Sequence, residues 1–193
     1  MPVNLAFERA MVRVFHLEGG EVDHPADRGG VTKFGVSLAY LKSLGADRGG
    51  DIDLDGDVDA ADVLAVTPEK ARALFRRDFW IPSGADDAST ISEAIATKLF
   101  EFSLVAGPGR AVRALQRALC DTRSPVDVDG RYGEQTHGAL ILLNGAGLMG
   151  ELRQALRRRC AEHFLGIVVE NRSQIVFLVG WLRRALDLDE GAA

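Results

Sequence analysis

Leu5-Ala6-Phe7-Glu8-Arg9-Ala10-Met11-Val12-Arg13-Val14-Phe15-His16-Leu17-Glu18-Gly19-Gly20 reads as an amphipathic helix followed by its stop. Leu5, Phe7, Met11, Val14 and Phe15 fall near one helical face, Asn4 is placed to cap the first turn, and the glycine pair ends the helix. An irregular stretch follows, Glu21 to Val36, carrying Pro25 and two glycine breaks; within it Val31-Thr32-Lys33-Phe34 can form a small strand. Outward from there the pattern stays helical. Ser37 can cap a helix running to Leu44, and Thr67-Pro68-Glu69 opens another, with proline at its first position, leading to Trp80. Pro82 to Ala88 reads as a connector. Further helices are predicted at about 91–105, 109–120, 134–143, 149–165 and 173–186, separated by Gly or Pro signals. No sustained alternation suggests a large sheet. The expected class is mainly α, with one lobe over about residues 1–87 and a second helical lobe over about 91–187.

The chain has 193 residues, 47% hydrophobic and 26% charged, enough for one core or two small lobes. Its net charge of −5 is unevenly placed. Residues 51–62 hold six Asp and no base, which leaves +1 for everything else. From Gly107 to Arg184 twelve arginines face seven acids, a local +5. A near-neutral body with one anionic loop excludes the usual strongly basic nucleic-acid binder. Glu8, Arg9 and Arg13 interrupt any secretory apolar segment near the N-terminus. The longest apolar run, Ile175 to Leu182, is eight residues, far short of a membrane span. Cys120 and Cys160 read as two buried thiols, not a disulfide framework. A monomer is the favoured state.

Residues 51–62 read Asp51-Ile52-Asp53-Leu54-Asp55-Gly56-Asp57-Val58-Asp59-Ala60-Ala61-Asp62. Asp51, Asp53 and Asp55 occupy loop positions one, three and five. Gly56 stands where the chain must turn sharply, and Val58 where an apolar residue packs inward. Asp57 would give a backbone carbonyl, Asp59 a direct or water-mediated contact, and Asp62 closes the loop at position twelve. This oxygen-rich spacing wraps one Ca²⁺. Asp62 replaces the usual Glu, a shorter carboxylate also seen in dockerin-like loops. The competing reading is a solvated acidic turn, although six carboxylates in twelve residues repel strongly without a cation. One loop with no second to pair with points to a structural clip.

Glu18 just past a helix end, beside glycines that let another chain approach its backbone, can serve as a general acid. Glycoside hydrolysis needs that proton donor and a second polar group to guide water or stabilise the developing cation. Asp27 and Thr32 can supply those parts from the facing turn. An ordinary exposed acid at a helix end is the competing reading of Glu18 taken alone.

The stretch Glu18-Gly19-Gly20 … Asp27-Arg28-Gly29-Gly30-Val31-Thr32-Lys33-Phe34-Gly35-Val36 closely resembles the signature of the glycoside hydrolase family 108 lysozymes, N-acetylmuramidases found as phage endolysins and secretion-activator proteins. The resemblance implies a lysozyme-like helical fold with a short irregular or β turn at the active site. It implies Glu18 as the catalytic acid, with Asp27 and Thr32 as partners. The spacing of these three also looks like the Glu/Asp/Thr triad of phage-type lysozymes, one residue shorter between the last two. Where the family usually has an aromatic after the glycine pair, this chain has Glu21. The segment Thr67-Pro68-Glu69 … Asp78-Phe79-Trp80 looks like the family's continuation. Gly20, Phe34 and Trp80 are the sugar contacts so implied.

The second half resembles the small helical peptidoglycan-binding region that accompanies this family. The resemblance rests on Phe100-Glu101-Phe102-Ser103 … Gly107-Pro108-Gly109-Arg110-Ala111, Leu115-Gln116-Arg117, Val128-Asp129-Gly130-Arg131-Tyr132-Gly133 and Gly180-Trp181-Leu182. Val105 stands where the family often carries Asn, and Glu101 where Asp is frequent. Trp181 is the implied sugar contact, with a core tryptophan as its competing reading. Arg157-Arg158-Arg159 reads as a solvated face with a modest pull toward anionic wall polymers.

The expectation is therefore a peptidoglycan hydrolase cleaving the β-1,4 bond between N-acetylmuramic acid and N-acetylglucosamine, with structural Ca²⁺. It would be made in the bacterial or phage-host cytoplasm without a signal peptide and reach the wall after holin-like or other release. A lytic transglycosylase, or an inactive calcium-stabilised binding or secretion-assisting module, are the alternatives.

Overall fold

The computed structural model describes residues 4–17 and 32–187. They group into two compact units, Met1–Arg77 and Asp78–Ala193.

In the first unit α1 spans Leu5–Leu17. Asn4 caps it as expected, its Oδ1 accepting from the Phe7 N–H at 3.2 Å. The buried face is Phe7, Ala10, Met11 and Val14; Leu5 is 65% exposed and lies off it, a correction to the face read from spacing. Thr32–Lys33 (β1) and Val36–Ser37 (β2) form an antiparallel hairpin in register Thr32↔Ser37 and Lys33↔Val36. Phe34 thus sits in the two-residue turn, not in a strand, with φ of 52° beside Gly35 at 77°. Positive φ at both positions gives the turn the twist that antiparallel strands need, at some strain for Phe34. Ser37 then caps α2 (Leu38–Leu44), accepting from the Tyr40 N–H at 3.2 Å. A 3₁₀ turn at Ala46–Arg48, α3 (Ala60–Ala65) and α4 (Pro68–Phe75) complete the unit. Thr67 caps α4 with Pro68 in its first turn, as read from sequence. Met11, Val36, Leu41, Val63, Leu74 and Phe75 are buried in this unit.

A π-helical turn over Arg76–Trp80 leads into α5 (Ala85–Ser89), α6 (Glu93–Ala106), α7 (Pro108–Asp121), α8 (Glu134–Gly145), α9 (Met149–Glu170) and α10 (Ile175–Leu186). The stretch read as a connector thus contains α5. Residues 78–87 group with the second unit, ahead of the break expected near residue 87. The reason is packing: Trp80 meets Phe100 edge-on at 5.5 Å, and α5 lies along α6. Gly84, at φ +73°, lets the Tyr132 ring lie against the start of α5, because a Cβ there would stand 2.0 Å from Cγ of Tyr132. Helix α7 buries Ala111, Val112, Leu115, Ala118 and Leu119 and packs on α6 and α9. Between α6 and the end of α10 lies a buried ionic cluster. Lys98 Nζ pairs with Asp187 and donates to the Arg184 carbonyl at 2.8 Å, while Arg157 Nε reaches Asp187 at 2.6 Å. Cys160 is buried, which pushes its thiol up to about 12, whereas Cys120 is exposed, against the expectation of two buried thiols. Among the described residues no helix is long and apolar enough to cross a membrane.

Candidate active site and acidic loop

The chain enters the candidate active-site segment from α1 and leaves it at the hairpin. Glu18, Gly20 and Asp27, with Glu21 beside them, lie outside the described residues. Thr32 opens β1, half-buried opposite Ser37. The Phe34 ring packs on Phe15 of α1 at 5.7 Å between centroids, so the hairpin turn is anchored to the helix that leads to Glu18. Arg72 of α4 sits over the Phe15 ring at 5.0 Å and pairs with Glu8 at 3.2 Å. Phe34 remains half-buried, with one part of its ring committed to Phe15. Lys33 donates from Nζ to the Leu64 carbonyl, which ties the hairpin to α3.

The acidic loop is built by its own backbone. Asp51 accepts from the Leu54 N–H at 2.6 Å and the Gly56 N–H at 3.1 Å. Asp53 accepts from the Asp55 N–H at 3.4 Å and Asp55 from the Asp57 N–H at 3.1 Å, short local turns closed by the carboxylates themselves. Gly56 adopts φ +103°, the sharp turn expected at position six. Asp62 is 1% exposed and closes the loop: one oxygen accepts from the Ile52 and Asp53 N–H groups, the other from Asp59 at 2.8 Å. Asp59 and Asp62 also form the capping box of α3. Burial alone would raise the Asp62 carboxyl, but those N–H donors outweigh it and hold it below the usual range. Asp53 is raised, by desolvation and then by Asp55, and Asp57 is raised, chiefly by Asp55. The carboxylates gather as two triads, Asp51, Asp53 and Asp55 in one and Asp57, Asp59 and Asp62 in the other, each with oxygens within 4.8 Å of one another. Such a donor set could hold a metal ion: hard oxygens, a tight turn, and raised carboxyls that a cation would relieve.

Trp80 does not face a sugar in this structure. Its ring is completely covered, it packs on Phe100, and its indole N–H donates to Asp86 at 2.8 Å. Trp181 is half-exposed, stacked on Phe164 at 5.2 Å and flanked by Phe177 at 5.7 Å. Glu101 is buried beside Lys98 at 3.7 Å, while Val105 is exposed. Asp129-Gly130 is a turn held by Gln116, a residue of the Leu115-Gln116-Arg117 motif to which sequence alone assigns no role. The buried Gln116 amide donates to Asp129 at 2.8 Å and to the Arg131 carbonyl at 3.1 Å, and its oxygen accepts the Gly130 N–H at 2.9 Å. Gln116, then the Arg131 N–H, hold the Asp129 carboxyl below its usual range. A glutamine on the apolar face of α7 was the available signal, since a buried amide needs partners. The Arg157-Arg158-Arg159 run is largely spent within the bundle: Arg157 holds Asp187, while Arg158 and Arg159 hold Asp121.

A helical unit that carries this hairpin and leads on to a helical bundle is a mainly α, lysozyme-like fold. The family model described as Glycosyl hydrolase 108 matches residues 11–107, and the chain belongs to that family. A second model, described as Predicted Peptidoglycan domain, matches residues 110–186. The chain is therefore a glycoside hydrolase acting on peptidoglycan. Among solved structures, SagA of Brucella abortus is similar at 29% identity and a TM-score of 0.64, over 98% of this chain and 99% of that one. No curated protein matches the chain. The boundary between the two family models falls between α6 and α7, whereas the packing divides at Arg77, so α6 belongs to the first match but to the second compact unit.

Proposed function

We propose that the chain is an N-acetylmuramidase that hydrolyses the β-1,4 bond between N-acetylmuramic acid and N-acetylglucosamine, with Glu18 as general acid. The observation that carries this reading is the family match over residues 11–107, which spans Glu18, Asp27 and Thr32. Glu18 protonates the glycosidic oxygen, which requires a pKa raised by partial burial against the sugar. Asp27 stabilises the developing oxocarbenium ion or orients water, and Thr32 holds that water. Phe34 and Gly20 form part of the wall against which the sugar lies. In the second unit Trp181 keeps part of its ring accessible and is the remaining aromatic candidate for glycan contact.

The acidic loop is proposed to hold Ca²⁺ as a structural clip. Asp51, Asp53, Asp55, Asp59 and Asp62 would supply carboxylate oxygens and Asp57 its carbonyl. A bound divalent cation there would fix the segment that leads into α3 and so, through Lys33 and the Leu64 carbonyl, the hairpin.

Analysis of the reducing ends released from purified peptidoglycan tests the reading. N-acetylmuramic acid at the new ends is expected. 1,6-Anhydro ends would make the protein a lytic transglycosylase, and N-acetylglucosamine ends would make it a glucosaminidase. Binding without cleavage would leave only the binding module.

A further inference from the structure

Arg110, Arg113 and Arg117 stand three and four residues apart on α7, which places them on one face of that helix. All three are exposed. What they touch is backbone, not carboxylate. Arg110 donates to the Ala106 carbonyl at 3.1 Å, and Arg113 to the carbonyls of Gly109 at 3.4 Å and Asp129 at 3.0 Å. Among the described residues Arg117 has neither an ion-pair nor a hydrogen-bond partner. Across from them α9 brings Arg159 and His163, and the floor is Phe102 of α6. The open cleft between these helices has a volume of about 320 Å³.

Its charge is strongly one-sided. The acid in the cleft is Glu162, and it is tied to Arg159 at 2.7 Å. His163 adds no positive charge near neutral pH, because burial, then Arg110, lower its pKa. Its ring stands edge-on to Phe102 at 5.4 Å. Three guanidinium groups along two turns of helix span roughly 10 Å. Solvent screens their mutual repulsion, and anions bound along them relieve it further. The planar fork of Arg suits a carboxylate held by two parallel hydrogen bonds. A sugar site would instead need an exposed ring face, and Phe102 is 5% exposed.

We infer that this cleft binds the carboxylates of the peptide stems carried by the glycan strands, so that the second unit grips peptidoglycan through its peptides. This rests on the peptidoglycan reading above and adds to it the chemical class of the group recognised and the residues that recognise it. Arg117 and Arg110 make the principal contacts. Arg113 also steadies the Asp129 turn, and Arg159 is shared with Asp121.

The test is sedimentation of the full chain, carrying Glu18→Gln to prevent digestion, with insoluble peptidoglycan at low salt. One sample keeps its peptide stems, and a second has been stripped of them by an amidase. The double variant Arg110→Gln/Arg117→Gln is compared with the parent, and equal melting temperatures show that both are folded. Stripping the stems and introducing the double substitution are each expected to weaken binding roughly tenfold, the size of losing charge-assisted hydrogen bonds. The variant should bind stripped glycan as the parent does, and about 0.5 M salt should erase the difference on intact material. Equal binding of variant and parent to intact peptidoglycan overturns the inference, as does an equal loss on stripped glycan. Competition by inorganic polyphosphate but not by soluble stem peptide would assign the cleft to a phosphate polymer and also overturn it. If the parent fails to bind either sample, the peptidoglycan-binding reading of this unit falls and the inference falls with it.

Discussion

The acidic loop of the first unit and the charged groups of the second are held in different ways. In the loop, six carboxylates share twelve residues and nearly every hydrogen bond they accept comes from neighbouring backbone N–H groups. The second unit carries its charge on long helices. There Asp187 is sealed against Lys98 and Arg157, Asp121 is matched to two arginines, and the α7 arginines face outward. Oxygens converging in one tight turn suit a small hard cation. Charges strung along a helix face suit an extended polymer, and charges sealed in a core serve packing alone. Local sequence therefore defines the charge site of the first unit, while that of the second depends on contacts between distant helices.

The largest expected effect comes from breaking the sealed pair. Asp187→Asn leaves Lys98 charged with its side chain 5% exposed, and should cost about 3–5 kcal/mol of stability by chemical denaturation. Replacing Lys98 and Asp187 together by apolar residues should recover only part of that loss, because Glu101 then loses Lys98 and Arg157 loses Asp187. A loss below about 1 kcal/mol for Asp187→Asn would show that the cluster is solvated in solution.

Next in size is the cation effect on the loop. Ca²⁺ at about a hundred times its dissociation constant should stabilise the protein by about 2.7 kcal/mol, seen as a rise in Tm that EDTA reverses. Asp53→Ala should abolish that rise, whereas Asp187→Asn should lower the starting Tm and leave the rise intact. Unchanged melting curves with Ca²⁺ and with EDTA would leave the loop an acidic turn.

A smaller effect separates the loop's closure from its charge. With EDTA present, Asp62→Ala removes the acceptor for the Ile52, Asp53 and Asp59 N–H groups and should destabilise by about 1–3 kcal/mol. Asp55→Ala in the same buffer should be near neutral or slightly stabilising, because it removes the charge that raises Asp53 and Asp57.

The smallest difference is in acid. For Asp187, burial alone would raise the carboxyl, but Lys98 and Arg157 hold it below its usual range; hydrogen bonds from Arg159 and Arg158 do the same for Asp121. A carboxyl lowered in the folded state stabilises it above the unfolded pKa, and that contribution fades as pH falls through the folded value. In the loop the signs oppose one another: without metal the raised Asp53 and Asp57 favour the folded loop as protons bind, while Asp62, held low by its N–H donors, works the other way. Lowering the pH below about 4 in EDTA should therefore speed amide exchange in α9 and α10 more than in α3. The reverse order would show that the loop, not the bundle, governs acid stability.

Features written in a few neighbouring residues were legible in the sequence. The caps at Asn4, Ser37 and Thr67 form as read, because each satisfies N–H groups two to four residues away. The acidic loop was legible for the same reason. Helix α5 was not, since Ala85-Asp86-Asp87-Ala88-Ser89 is short and has no apolar period of its own; its partner is α6. The family resemblance implies Trp80 as a sugar contact, but its direction is set by Phe100 and Asp86, which pattern alone does not place. Lys98 and Asp187 are 89 residues apart, and Gln116 lies thirteen from Asp129, so neither pair leaves a local signature. The three-four spacing of the α7 arginines was present in the sequence. Arg157-Arg158-Arg159 stands out by adjacency, yet all three pair with carboxylates of the second unit, Arg157 with Asp187 and Arg158 and Arg159 with Asp121.

The central claim is that Glu18 delivers the proton that breaks the glycan. Its most direct test is the rate at which Glu18→Gln releases soluble muropeptides from purified peptidoglycan, beside the unaltered chain, with both melting at the same temperature. Gln keeps the size and hydrogen-bonding reach of Glu but cannot give up a proton, so the rate should fall about a hundredfold to ten-thousandfold while binding persists. Release by Glu18→Gln at close to the unaltered rate would contradict the assignment and move the acid to another carboxylate of the chain.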